Sequence, residues 1–202
     1  MTKAVWTVGA WLATVVMILG SASCGELTRQ GTSPSYLVVQ TMEASSGADP
    51  GTFGNPLLSD VVTVVNQVPT FFNDLARVSF ALGLKDPGPS SAPVSPTQNN
   101  WITVNRYHVR YIRADGHNIE GVDVPYAFDG GMAVTVSDTT TVSFQVVRHQ
   151  AKLEAPLMAL ASNGIIVSTI AEITFYGHDQ TGREVSTVAN LSVNFGNFAD
   201  PQ

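Results

Sequence analysis

Arg106, His108 and Arg110 alternate along one run, so on a strand they project together from one face as a cationic stripe. Guanidinium forks beside an imidazole suit the recognition of carboxylates or phosphates: an acidic glycan, a lipid headgroup, an acidic partner protein. Arg148 and His149 would extend the stripe if their strand were a neighbour. The same residues also read as the ordinary covering of a solvent-facing strand, with arginine stems shielding apolar surface below.

Other chemistry finds less support in spacing. Asp115, Glu120 and Asp123 in one connection, or Asp129 with Asp138, present oxygens of the kind calcium takes, but without EF-hand order, and Asp115-Gly116 is first a turn device. Glycoside hydrolysis needs two carboxylates about 5–10 Å apart, and Glu154, Glu172 and Glu184 are its scattered candidates. His108, His117, His149 and His178 sit in four separate segments, with no ligand spacing for a metal. Serine-elbow, zinc-protease, phosphate-loop and dinucleotide motifs are absent from the sequence, so no catalytic residue, metal or cofactor is expected.

What must hold any such site is decided first at the start of the chain. Lys3 opens it, residues 4–22 are 19 residues without a charge, and Gly20-Ser21-Ala22-Ser23 leads into Cys24. That layout is an export signal. Three outcomes stay open: lipidation at Cys24, plain secretion after the small residues, or an uncleaved helix close to the roughly 20 residues that span a bilayer. The only cysteine, directly behind small residues, resembles the lipobox of bacterial lipoproteins, with Ser21 where that family usually has an aliphatic. The resemblance implies a mature chain beginning at lipid-modified Cys24, held in the cell envelope by its anchor and facing the periplasm or the exterior.

One cysteine leaves no internal disulfide, so the exported domain must rely on its core. Removal of residues 1–23 leaves 179 residues, enough for one domain with a substantial interior. Nine basic residues then stand against sixteen acidic ones, a net charge of −7 that offers no broad basic footprint for nucleic acid. The expected organisation is a signal peptide at 1–23, a flexible tether at 24–35, one domain at 36–198 and a tail at 199–202.

Within that domain, runs rich in β-branched and aromatic residues alternate with Gly, Pro, Asp, Asn and Ser. Strands are expected at 36–44, 57–65, 77–84, 101–113, 132–136, 139–149, 165–176 and 184–195, with a short extended piece at 121–128. Residues 69–74 read as a bend, Asp129-Gly130-Gly131 as a turn, and 178–183 as a hairpin loop. Four prolines make 85–99 a long exposed loop. Leu153, Leu157 and Leu160 suggest helical spacing, which Pro156 limits to a turn or two.

About nine strands and no sustained helix predict an all-β fold, an antiparallel β-sandwich that resembles the immunoglobulin-like or fibronectin-type architecture; a closed barrel is the alternative. Two functions follow as expectations. One is a non-catalytic envelope lipoprotein that binds a partner protein, betrayed by an apolar patch or an open edge strand. The other is a glycan- or lipid-binding module, which would need a concave site lined by Trp101, Tyr107, Tyr111 or Tyr126.

Overall fold

The computed structural model describes residues 31–198. The expected signal peptide, Cys24, the tether up to residue 30 and the tail lie outside the described residues. Ten strands are present among them: β1 (Ser35–Ser45), β2 (Leu57–Asp60), β3 (Thr63–Val65), β4 (Val68–Thr70), β5 (Asp74–Leu84), β6 (Ile102–Ile112), β7 (Phe128–Val136), β8 (Thr139–Val147), β9 (Val167–Asp179) and β10 (Glu184–Gly196). One short helix, α1 (His149–Leu153), and two 3-10 turns complete them. The fold is all-β, as composition and turn spacing predict.

The strands form a three-stranded sheet ordered β1-β5-β8, a five-stranded sheet ordered β2-β10-β9-β6-β7, and the ribbon β3-β4. The expectation of purely antiparallel pairing is corrected at one place, because β2 runs parallel to β10. More than a hundred residues separate the two, so no tight hairpin forces them to oppose. The expected strand 57–65 breaks after Asp60, whose carboxylate accepts hydrogen bonds from the Thr63 hydroxyl (2.6 Å) and the Phe198 N–H (3.0 Å). Past this corner Asn66 and Gln67 both take positive φ, the condition of a tight hairpin turn, and β4 forms where a bend is expected.

Two further departures bear on the stripe. Asp129-Gly130-Gly131 is not a turn but the opening of β7, and 121–127 is turns rather than a strand. Gly130 lies under the Tyr107 ring, which occupies the place of any Cβ there. Glycine at this position makes room for a ring. On β6 the pairing shifts between Val104 and Arg106 against both neighbours, so Asn105 and Arg106 both face outward. This bulge resets the alternation: Ile102 and Val104 are buried before it, Tyr107, Val109 and Tyr111 after it. Trp101, expected on the face of Tyr107 and Tyr111, therefore falls out of step with them. Opposite the bulge, Gly177 lets the Thr103 and Val104 backbone approach more closely than a side chain permits.

Both large sheets contribute to one core. Phe80 of β5 meets Phe175 of β9 edge-on at 4.9 Å between centroids, and Phe175 meets Phe144 of β8 at 5.3 Å. Tyr107 continues the chain of rings to Phe144 at 4.8 Å and to Phe128 at 6.3 Å. Such edge contacts add to burial itself. At the front, Ser33 and Ser35 are buried, and the Ser35 hydroxyl donates to the Asn100 carbonyl at 2.6 Å. The ordered fold thus reaches into the last residues of the expected tether.

The β9–β10 hairpin forms where the sequence places it, closed by Asp179. One of its carboxylate oxygens accepts from the Thr181 hydroxyl (2.6 Å), the Thr181 N–H (2.9 Å) and the Arg183 N–H (3.0 Å). Burial alone would raise this carboxyl; the hydrogen bonds outweigh it and hold the group below its ordinary 3.8. Its contribution is therefore present above the unfolded value and lost as pH falls through the folded one. Asp179→Ala is expected to cost about 1–2 kcal/mol at neutral pH in urea unfolding, and progressively less as pH falls below 3.8.

Candidate functional site

The bulge on β6 and straight pairing beyond it put Arg106, His108 and Arg110 on one outer face, as their alternation predicts. Adjacent strands then set a carboxylate beside each. Asp129 of β7 stands 3.4 Å from Arg106 and from His108, and Glu172 of β9 accepts from Arg110 at 2.8 Å. Arg106 also lies over the Tyr176 ring at 4.1 Å. The stripe is thus a row of exposed ion pairs rather than bare cation. Arg148 and His149 do not extend it: Arg148 lies over the Phe128 ring at 4.4 Å, and His149 meets the Asn73 side chain.

The acidic candidates are dispersed. Asp115 accepts from Arg113 at 2.5 Å, and that bond holds its carboxyl below the usual range. Asp123 accepts the Ile119 N–H, while Asp129 and Asp138 lie at opposite ends of β7. Glu172 and Glu184 are far apart along the β9–β10 ladder, about 20 Å at strand spacing, well beyond the reach of paired hydrolytic carboxylates. The histidines go to four different partners: Asp129, Asp115, Asn73 and the Asp179 carbonyl. Among the described residues no three His, Cys, Asp or Glu converge on a metal position.

The aromatic candidates part company. Tyr107 and Tyr111 are buried in the core, whereas Tyr126 is half exposed in the β6–β7 connection. The Tyr111 hydroxyl donates to the Val146 carbonyl of β8 at 2.6 Å. Burial, reinforced by the charge of Asp74, pushes the phenol upward, so it stays a donor. This bond ties β6 to β8, the edge strand of the three-stranded sheet, within the core.

The other edge strand of that sheet is β1. Among the described residues β1 pairs with β5 alone, apart from one bridge between Ala44 and Gly54. It runs for 11 residues without Lys, Arg or Pro. Tyr36 is 43% exposed and Val38 41%, two apolar side chains at the start of an edge strand whose outer face continues with Gln40, Thr41 and the Glu43–Arg77 ion pair.

The most unusual chemistry was not legible in advance. Lys152 of α1 and Asp74 of β5 are both 0% exposed, and Nζ stands 2.8 Å from Asp74 Oδ1. The Lys152 ammonium also donates to the Asp60 carbonyl at 2.8 Å. Oδ1 of Asp74 accepts the Gly47 N–H (2.8 Å), and Oδ2 accepts the Ser59 hydroxyl (2.5 Å). Burial raises the Asp74 carboxyl above its usual range against the opposing pull of Lys152 and these hydrogen bonds. The network ties together α1, β2, β5 and the β1–β2 connection.

No protein-family model and no curated protein matches this chain. Among the described residues no helix is long and apolar enough to cross a membrane.

Proposed function

We propose that this chain is a non-catalytic module of the bacterial cell envelope, held by lipid on Cys24, that binds a partner protein by accepting a strand along β1. The carrying observation is the first half of the edge: among the described residues Ser35–Val39 pairs on one side only, exposes Tyr36 and Val38, and lacks the lysine or proline that usually blocks such an edge, before the bulge at Val39/Thr41 and the bridge from Ala44 to Gly54. Strand addition supplies affinity through backbone hydrogen bonds, and Tyr36 and Val38 supply apolar contacts for alternate partner side chains. The domain is read as a β-sandwich of the immunoglobulin-like kind, supported by the Phe80–Phe175 contact between the two large sheets. The leader, the cysteine behind it and the paired charges of the stripe favour this reading over an anion-binding face.

The test is site-specific photo-crosslinking in the native host, with the reactive phenylalanine analogue at position 38 or, as control, at Val188 on β10, which is also exposed. A discrete protein adduct from position 38 but not 188, and its loss when Cys24→Ala releases the protein from membranes, is the expected result. Equal labelling from both positions, or none from 38, would overturn strand addition; membrane retention of Cys24→Ala would overturn the anchor.

A further inference from the structure

The buried amine and carboxyl have the arrangement of reactants. The site that holds Lys152 and Asp74 is closed to solvent, so water neither competes for the carboxyl carbon nor solvates the two charges. An ion pair kept dry is expensive, and its attraction does not reliably compensate for lost hydration. Nζ is in direct contact with the carboxyl group, 2.8 Å from Oδ1, which supplies the proximity that a reaction between free groups lacks. We propose that Lys152 and Asp74 are joined covalently, Nζ to Cγ, as an intramolecular amide.

The step balances with water as its only by-product. One proton passes along the existing hydrogen bond from the ammonium to the carboxylate, leaving a neutral amine and a neutral acid. Burial already raises the Asp74 carboxyl and so favours its protonated form. The nitrogen lone pair attacks Cγ; the Gly47 N–H on Oδ1 and the Ser59 hydroxyl on Oδ2 stabilise charge gathering on the two oxygens. Nitrogen then gives its second proton to Oδ2, the proton held on Oδ1 passes to the same oxygen, the Cγ–Oδ2 bond breaks, and water leaves with Oδ1 as the amide carbonyl. Nothing is oxidised or reduced.

The surroundings fit the product better than the ion pair. An ammonium has three N–H groups, and two acceptors face it, Asp74 Oδ1 and the Asp60 carbonyl. The amide has one N–H, which the Asp60 carbonyl accepts, and one oxygen, which the Gly47 N–H already approaches. The bond would close a loop between residues 78 apart in sequence, tying the first residue of β5 to the β8–β9 crossover. In a chain otherwise limited to one cysteine, that is a cross-link no disulfide can supply.

The full chain is expressed, shown to be folded by near-ultraviolet circular dichroism, then denatured and digested after basic residues for tandem mass spectrometry. The expected result is a branched peptide carrying Asp74 and Lys152, one water lighter than its two parts, with loss of cleavage after Lys152. Linear peptides alone, cleaved after Lys152, from folded protein would overturn the proposal. So would a branch joining other residues, or persistence of the branched peptide in Lys152→Arg. The outcome is independent of the β1 docking reading, which makes no use of this bond.

Discussion

Lys152→Met is expected to lower stability by about 3–5 kcal/mol at neutral pH, because it leaves a buried carboxyl without the nitrogen that bonds it. The side chain is replaced by one of similar length, so packing changes little. Asp74 keeps the Gly47 and Ser59 hydrogen bonds but loses the one positive group that bonds it among the described residues. Its folded-state proton affinity already exceeds the unfolded 3.8, and removal of Lys152 raises it further. A raised carboxyl contributes most below its unfolded value and loses that contribution as pH rises through the folded one. The deficit of Lys152→Met relative to the double variant Lys152→Met with Asp74→Asn should therefore be small near pH 4 and grow towards pH 7. Asp74→Asn combined with Lys152→Met should be more stable than Lys152→Met at pH 7, because the amide still accepts from Gly47 and donates to Ser59. Urea unfolding of the three proteins at both pH values checks this. A covalent Lys152–Asp74 bond would be missing from the single and the double variant alike, so their difference reads the buried carboxyl alone. A double variant no more stable than Lys152→Met would show that the charge is not what the site has to neutralise.

Why this pair escaped a reading of the sequence is a matter of period and distance. Asp74 stands in step with Ala76, Val78 and Phe80, all buried, so extending that alternation backwards places it inward. A carboxylate just after Phe71, Phe72 and Asn73 reads instead as part of a bend. Lys152 lies in a crossover whose spacing points to Leu153, Leu157 and Leu160 as the inner face; Leu157 and Leu160 are buried, but Leu153 is half exposed and the lysine is inside. The helix is only five residues long, too short for periodicity to fix its rotation. Nothing local says that the two will meet across 78 residues.

The stripe shows the opposite balance. Alternation was sufficient to place Arg106, His108 and Arg110 on one face, because side-chain direction in a strand depends on local backbone alone. Their partners Asp129 and Glu172 belong to strands on either side of β6, and only sheet order and register bring them alongside. Parity also fails wherever a bulge intervenes, as Trp101 shows, and Asp-Gly-Gly carries the same letters whether it turns the chain or clears space for Tyr107. The β9–β10 hairpin was legible as an element, since Gly182 at φ 87° and its alternating strands agree, although β9 runs on to Asp179 and the loop is shorter than the expected 178–183.

The core makes the second large effect. Phe175→Ala is expected to cost about 3–5 kcal/mol, the range for truncating a fully buried phenylalanine. Phe175 stands on β9, the middle strand of the five, and meets both Phe80 and Phe144 of the three-stranded sheet. Removing its ring leaves a gap between the sheets that backbone movement cannot close without breaking the β9 ladders on both sides. Phe195 is equally buried, but among the described residues its ring meets Tyr111, on its own sheet, at 5.5 Å. Phe195→Ala should therefore leave the aromatic near-ultraviolet signal of the Phe80–Phe175–Phe144 group more nearly intact, while Phe175→Ala removes most of it. If Phe175→Ala unfolds in urea at nearly the native midpoint, those rings do not hold the two sheets together, and the sandwich reading loses its support.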